Sequence, residues 1–295
     1  MPNNAGLREE RMSDWRELNE FIEDNFFSDP SFVFRGQGCA SWELNTTLDR
    51  LLRQVPEEFR HEGIVYDHLD RFSKALRGRR TGNGTRKENP NELWALGQHY
   101  GLSTPFLDWS FSPYIALFFA FNAPSPPPSG ERALWALDIK KVQEINVNIK
   151  DYVGIKNSSG ETLEFGFKVF EQDRTPIIEL IEPLSDDNPR IISQAGMFTR
   201  LPVLTSLNEW VFHLCGKGYK EVLLKIIIPE NARDRVIWAL EKMNIHSASL
   251  FPDFTGASKY CNEMLSILSR KKEIEKETNS ILATIGIPIN EKIPL

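Results

Sequence analysis

The stretch Ala95-Leu-Gly-Gln-His-Tyr-Gly-Leu-Ser-Thr-Pro-Phe-Leu-Asp-Trp-Ser110 decides how this chain is read. It places Gln98, His99, Tyr100, Asp108 and Trp109 among glycines and a proline, just before a very apolar segment. Glycine and proline interrupt regular structure, so these polar groups are expected on a turn held close to the core. Polar groups near a core need partners. The partner here is either the protein's own backbone or a ligand.

Outward from that stretch, Ser112-Pro113 reads as a helix start, a capping residue followed by proline at the first helical position. Residues 114–121 are apolar on every side and are expected to be buried on every side. Upstream, residues 92–99 read as a helix. Residues 78–90, with three glycines and two asparagines, read as a loop. Ser31-Phe-Val-Phe34 reads as a short strand running into Arg35-Gly-Gln-Gly38, where the two glycines predict a tight turn with a close backbone approach. Helices are expected over residues 13–27, capped by Ser13, and over 44–53 and 57–77. Residues 123–130 form a proline-rich connector. The second half reads mainly as strands, at 133–139, 176–180, 190–193, 197–199, 221–228 and 247–251. Helices are expected at 231–243 and 260–270, and 271–295 is a charged tail. Strands and helices mix without regular βαβ alternation, so the fold class is α+β. The domain plan is an N-terminal helical segment (1–30), a main domain (31–268) and a C-terminal tail (269–295).

The chain has 295 residues, 41% of them hydrophobic, with 19 Phe and 7 Trp, which is enough for an aromatic-rich core. A net charge of −6 excludes a uniformly basic surface but leaves room for a local basic patch. Cys39, Cys215 and Cys261 are isolated, with no spacing for a cysteine zinc site. The odd cysteine count and the polar N-terminus lead us to expect a cytoplasmic protein with no membrane segment and no metal.

Several residues carry possible chemistry. Arg35, at a strand end beside Gly36, can aim a planar fork at a phosphate or carboxylate, or simply make an ion pair. His99 can bond a ribose hydroxyl, act as acid or base, or bond a backbone carbonyl. Tyr100 can stack on a flat ring or pack in the core. Asp108 reads as a brace for the turn, with Trp109 as its packing partner. Gln194 and Thr199 flank a glycine between two strand-like pieces, where a ribose or a simple bulge fits. Asp253 is either a catalytic carboxylate or the cap of a helix beginning near Ser258. Between Arg71 and Lys87 no acidic residue occurs. Arg77, Arg79, Arg80, Arg86 and Lys87 are therefore candidates for a nucleic-acid backbone, or form a solvated loop. There is no Walker A loop, no G-x-G-x-x-G opening a helix, no H-E-x-x-H and no G-x-S-x-G elbow.

Phe34-Arg35-Gly36-Gln37, Gln98-His-Tyr-Gly-Leu-Ser-Thr-Pro-Phe-Leu-Asp-Trp-Ser110 with Ala116-Leu-Phe-Phe-Ala120, Gln194-Ala-Gly-Met-Phe198 and Ser249-Leu-Phe-Pro-Asp-Phe-Thr-Gly256 resemble, in order, the signatures of the FRG domain family. That pattern is in turn similar to ADP-ribosyltransferases. The resemblance implies an ADP-ribosyltransferase-like split curved β-sheet with surrounding helices and NAD as substrate. The basic 71–87 stretch tilts the macromolecular acceptor toward nucleic acid, RNA in preference to DNA or protein. A role as a bacterial toxin or anti-phage effector, with an antitoxin or chaperone partner, belongs to what the resemblance implies. Arg35, His99 and Asp253 would be catalytic, and Arg35, Gly36, Gln37, Gln98, His99, Tyr100, Gln194 and Thr199 would seat the NAD. The chain departs from the ADP-ribosyltransferase pattern in having no Glu-x-Glu on a credible late strand. The alternative is a non-catalytic module that binds a nucleotide or nucleic acid.

Overall fold

The computed structural model describes residues 6–61, 63–78, 89–122, 126–153, 177–182, 189–215 and 220–266. The expected basic residues Arg79, Arg80, Arg86 and Lys87, most of the 78–90 loop and the 271–295 tail lie outside them.

Seven strands form one sheet: β1 (Leu7–Arg11), β2 (Phe32–Gln37), β3 (Phe106–Ser110), β4 (Glu131–Asp138), β5 (Glu179–Ile181), β6 (Gly196–Arg200) and β7 (Leu223–Pro229). Their order is β1-β7-β4-β2-β3-β6-β5. Only β1 and β7 run parallel among these neighbours. β2 and β4 are in register over six positions, and β3 and β6 over five. Between them, β2 and β3 share a single register pair, Phe34↔Ser110. The sheet is therefore continuous but narrows to one position at its centre. This is a mixed α+β architecture.

The helices are α1 (Trp15–Phe26), α2 (Thr47–Leu52), α3 (Ile64–Ala75), α4 (Pro90–His99), α5 (Pro113–Phe121), α6 (Ile139–Val153), α7 (Pro189–Ser193), α8 (Leu207–Cys215), α9 (Arg233–Lys242) and α10 (Ser247–Leu250). A further helix runs over 254–266. The core divides by strand parity, because successive side chains on a strand point to opposite faces. Val33, Trp109, Trp135, Leu137 and Met197 meet Val142, Ile145 and Trp210 from α6 and α8. Phe34, Leu134, Ala136 and Ile226 meet α1, α5 and α9 on the other face. A third cluster packs α2, α3 and α4 against Phe106, Ile181 and Phe198.

Several expectations are corrected. The Arg35-Gly-Gln turn is strand: β2 continues to Gln37, held by six register positions with β4. Gly36 does serve a close approach, but to the protein itself. A Cβ there would sit 1.8 Å from Ala116 O and 2.5 Å from Ala120 N of α5. The strand read at 190–193 is helix α7, and that at 247–251 is helix α10, whose N-cap His246 accepts from the Ser249 backbone. Asp14 rather than Ser13 caps α1, while the Ser13 hydroxyl bonds Glu17. Helix 57–77 is broken, with a single 3₁₀ turn at Glu57–Phe59 ahead of α3. Residues 7–26 are built into the same sheet and core: β1 borders β7, and Leu18 and Ile22 of α1 are fully buried. The expected start of α5 holds, with Ser112 accepting from Ile115 N and Pro113 in the first turn.

No helix among the described residues is long and apolar enough to cross a membrane.

Candidate functional site

The stretch 95–110 folds as helix, turn and strand. α4 ends at His99, Gly101 takes a positive φ of 88°, and the chain returns as β3. This return sets Gln98 beside Asp108. Thr104 Oγ1 donates to Gln98 Oε1, which orients the amide so that Gln98 Nε2 donates to Asp108 Oδ1. Thr104 is itself tied to α2, its N–H donating to Thr47 Oγ1 at 2.9 Å. The expected turn brace is thus real, but Asp108 sits within a strand. Trp109, the next residue, faces the opposite way into the core, where its Nε1 donates to Thr199 Oγ1 at 2.9 Å. Trp109 is therefore not the packing partner of Asp108.

Where β2 and β3 part, a cavity of about 400 Å³ opens, a size that suits a small ligand or part of a larger one. Arg35 reaches it from β2, His99 and Gln98 from α4, Asp108 from β3, Gln194 from beyond α7 and Arg190 from α7 itself. Phe34, Phe119, Phe198 and Phe251 add aromatic walls. Arg35 Nη1 donates to the backbone oxygen of Asp108 at 2.9 Å and lies 3.4 Å from its Oδ2. The Arg35 side chain is 23% exposed and that of Asp108 61%. Arg35 Nε is buried without a hydrogen-bond partner among the described residues.

Burial pushes the His99 imidazole below its ordinary value near 6.5; the cation of Arg190 lowers it further, and Asp253 partly opposes both. The ring is therefore neutral at neutral pH and is a proton acceptor rather than a cation. Tyr100 meets it edge-on, with ring centroids 4.8 Å apart.

The other expected site residues fall in different places. Gln194 lines the cavity, but its amide is engaged with Leu250 O at 3.2 Å. Gly36 lines it too, although its missing side chain answers to α5. Gln37 does not line the cavity; it accepts from Trp135 Nε1 and donates to Glu43 O. Thr199 is fully buried against Trp109 and does not line the cavity. Tyr100 is 73% exposed and is also outside the lining. Asp253 stands behind the wall. Its Oδ2 pairs with Arg190, and its Oδ1 accepts from Gly256 N at 2.9 Å, capping the helix over 254–266. The hydrogen bond from Arg190, followed by that from Gly256, holds its carboxyl below the ordinary range. Of the expected basic residues only Arg77 lies within the described part, just after α3.

Arg190, Phe119 and Phe251 were not anticipated as lining residues. Arg190 sits in a segment that reads as strand, and Phe119 in a helix that reads as apolar all round. Asp108 reads from the sequence chiefly as a structural residue, a cap or brace for the turn. Its position on a strand facing a cavity becomes visible only once β3 is recognised. Among the described residues no group of three or more His, Cys, Asp or Glu is placed to hold a metal ion.

Residues 30–128 match the FRG domain family. The match takes in Arg35, Gln98, His99 and Asp108 and ends before Gln194 and Asp253. No curated protein and no solved structure matches the chain.

Proposed function

We propose that the cavity binds NAD and that the protein transfers ADP-ribose to a macromolecule, with RNA the favoured acceptor. The observation that carries this reading is the meeting of Arg35, Asp108 and His99 on one cavity where the sheet narrows to a single pair. A guanidinium suits a pyrophosphate, which it can hold by paired, charge-assisted bonds. Breaking the nicotinamide–ribose bond leaves positive charge on the ribose carbon, and nicotinamide departs with the bonding electrons. Asp108, held by Gln98 and Arg35, is the cavity carboxylate able to stabilise that charge. It takes the part expected of Asp253, which does not line the cavity. His99, kept neutral by burial and by Arg190, accepts the proton of the acceptor hydroxyl or amine as that group bonds to the ribose carbon. Seating the reactants in one geometry supplies several kcal/mol more, on the order of what orientation gives elsewhere.

A role as a toxin or anti-phage effector with a restraining partner extends the same proposal and rests on the FRG resemblance. Nucleic acid is favoured over protein by the run from Arg71 to Lys87 without an acidic residue, and RNA is the acceptor proposed within that class.

Labelled NAD incubated with the protein and with total RNA, DNA or protein tests the proposal. The expected result is nicotinamide release with label on RNA, lost in Arg35→Ala and in Asp108→Asn. Saturable NAD binding without release would favour a non-catalytic nucleotide-binding module. No binding and no release, with Arg35→Ala indistinguishable from wild type, would refute both.

A further inference from the structure

Leu250-Phe-Pro-Asp-Phe-Thr-Gly256 brings Phe251 to the cavity and is fastened from several sides. Gln194 Nε2 donates to Leu250 O at 3.2 Å. Arg190 donates to Asp253 Oδ2 from Nη2 at 2.5 Å and from Nε at 3.2 Å. The same guanidinium carbon lies 5.5 Å from the centre of the Phe251 ring, and Lys259 Nζ lies 5.2 Å from it. Phe251 then meets Phe119 of α5 at 6.1 Å and 87°, edge to face.

Resting on the NAD-binding reading of the cavity, we infer that Asp253 is a positioning residue. Through Arg190 it holds Phe251 against Phe119, and this perpendicular pair receives the planar heteroaromatic ring of the ligand. Phe119, Phe251 and Arg190 line the cavity while Asp253 does not. Asp253 is committed on one oxygen to the Arg190 guanidinium and on the other to the N-terminus of the helix over 254–266. Two rings at right angles offer both a face and an edge, the arrangement in which aromatic groups attract one another best. The polar wall of Arg35, Gln98 and Asp108 lies on β2, α4 and β3. The lining thus offers Arg35, Gln98 and Asp108 to sugar and phosphate and the Phe119–Phe251 pair to the ring. The rival geometry is that Arg190 is an anion receptor and Asp253 occupies it in the ligand's stead.

Calorimetric titration of the full chain with nicotinamide mononucleotide and with ribose 5-phosphate separates these readings, since the two probes differ by the ring. Asp253→Asn removes the charge while its amide oxygen still caps Gly256 N–H. Phe251→Leu removes the ring directly, and thermal melting confirms that both variants remain folded. Each variant is expected to weaken nicotinamide mononucleotide binding by about three- to tenfold and to leave ribose 5-phosphate within about twofold. In the transfer assay both raise the KM for NAD and leave kcat within about twofold. Unchanged binding of the mononucleotide by Asp253→Asn overturns the inference, as does a fall in its kcat with KM unchanged. Tighter binding of both probes by Asp253→Asn overturns it in favour of the anion receptor. Wild-type protein that binds no mononucleotide removes the NAD-binding reading itself, and this inference with it.

Discussion

Arg35 of β2 is joined to Asp108 of β3 twice over, its Nη1 donating to the backbone oxygen at 2.9 Å and lying 3.4 Å from the carboxylate. These strands otherwise meet at the Phe34↔Ser110 pair. One side chain therefore both spans the narrow point of the sheet and forms the polar wall of the cavity.

Replacing Arg35 by lysine keeps the charge and loses the fork. An ammonium offers its three donors from a single point, without the planar fork that spans Asp108 and a phosphate bidentately. Arg35→Lys is expected to weaken NAD binding by about tenfold or more, in line with the loss of charge-assisted hydrogen bonds. Calorimetry would measure it, and an affinity within about twofold of wild type would remove Arg35 from ligand recognition.

The Phe-Arg-Gly glycine is set by packing. A Cβ at Gly36 would fall 1.8 Å from a backbone oxygen of α5, and backbone cannot swing aside as a flexible side chain can. Gly36→Ala is expected to lower unfolding free energy by about 3 kcal/mol, the upper end of overpacking costs. Urea denaturation gives the value. A variant as stable as wild type would show that α5 does not approach β2 this closely.

Arg132 is fully buried on β4 and is paired with Glu230, its Nη2 donating to Oε1 at 3.1 Å while Nη1 donates to Ala120 O at 2.6 Å. This guanidinium ties the end of α5 to the chain leaving β7. Glu230→Ala leaves the buried cation without its carboxylate and is expected to cost about 3 kcal/mol. The double variant Arg132→Met with Glu230→Ala should recover part of that loss in thermal melting. A double variant no more stable than Glu230→Ala would show that the charge is not the cause.

His99 gives the cavity a pH signature. Its folded pKa lies below 6.5 because of burial, then Arg190, with Asp253 opposing. As pH falls from about 6.5, the unfolded chain takes up the proton first, so the unfolded state binds more protons. Stability is therefore lost as pH drops from 6.5 through the lower folded value, and is restored above 6.5. Proton NMR of the imidazole should show Arg190→Gln raising that pKa and Asp253→Asn lowering it. An unmoved pKa in both variants would place Arg190 and Asp253 too far from the ring to act on it.

Much of this fold can be read from local chemistry. Ser112-Pro113 and the apolar run after it mark α5, and the Leu-Leu-Lys-Ile-Ile-Ile run marks β7. β1 escapes because Leu-Arg-Glu-Glu-Arg carries one apolar residue and owes its conformation to pairing with β7. Ile191-Ile192 and Leu250-Phe251 have β-prone side chains, yet α7 and α10 are helical turns, the second closed by His246. In the cavity, Arg35, Gln98, His99 and Gln194 were legible from their types and flanking glycines. Gln37 shares the Arg35 face of β2 but is drawn off by Trp135 and Glu43, and Thr199 is taken up by Trp109; neither engagement shows in local spacing. Arg190, Phe119 and Phe251 reach the cavity only through tertiary packing, which no local spacing records.

The backbone oxygen of Asp108 is met by a guanidinium borrowed from the neighbouring strand. Cohesion and recognition thus draw on the same five N–H groups of Arg35. Nη1 alone meets Asp108, so the fork keeps donors in reserve for an anion. The clasp that closes the seam between the strands can thus stay shut while the same residue greets a guest.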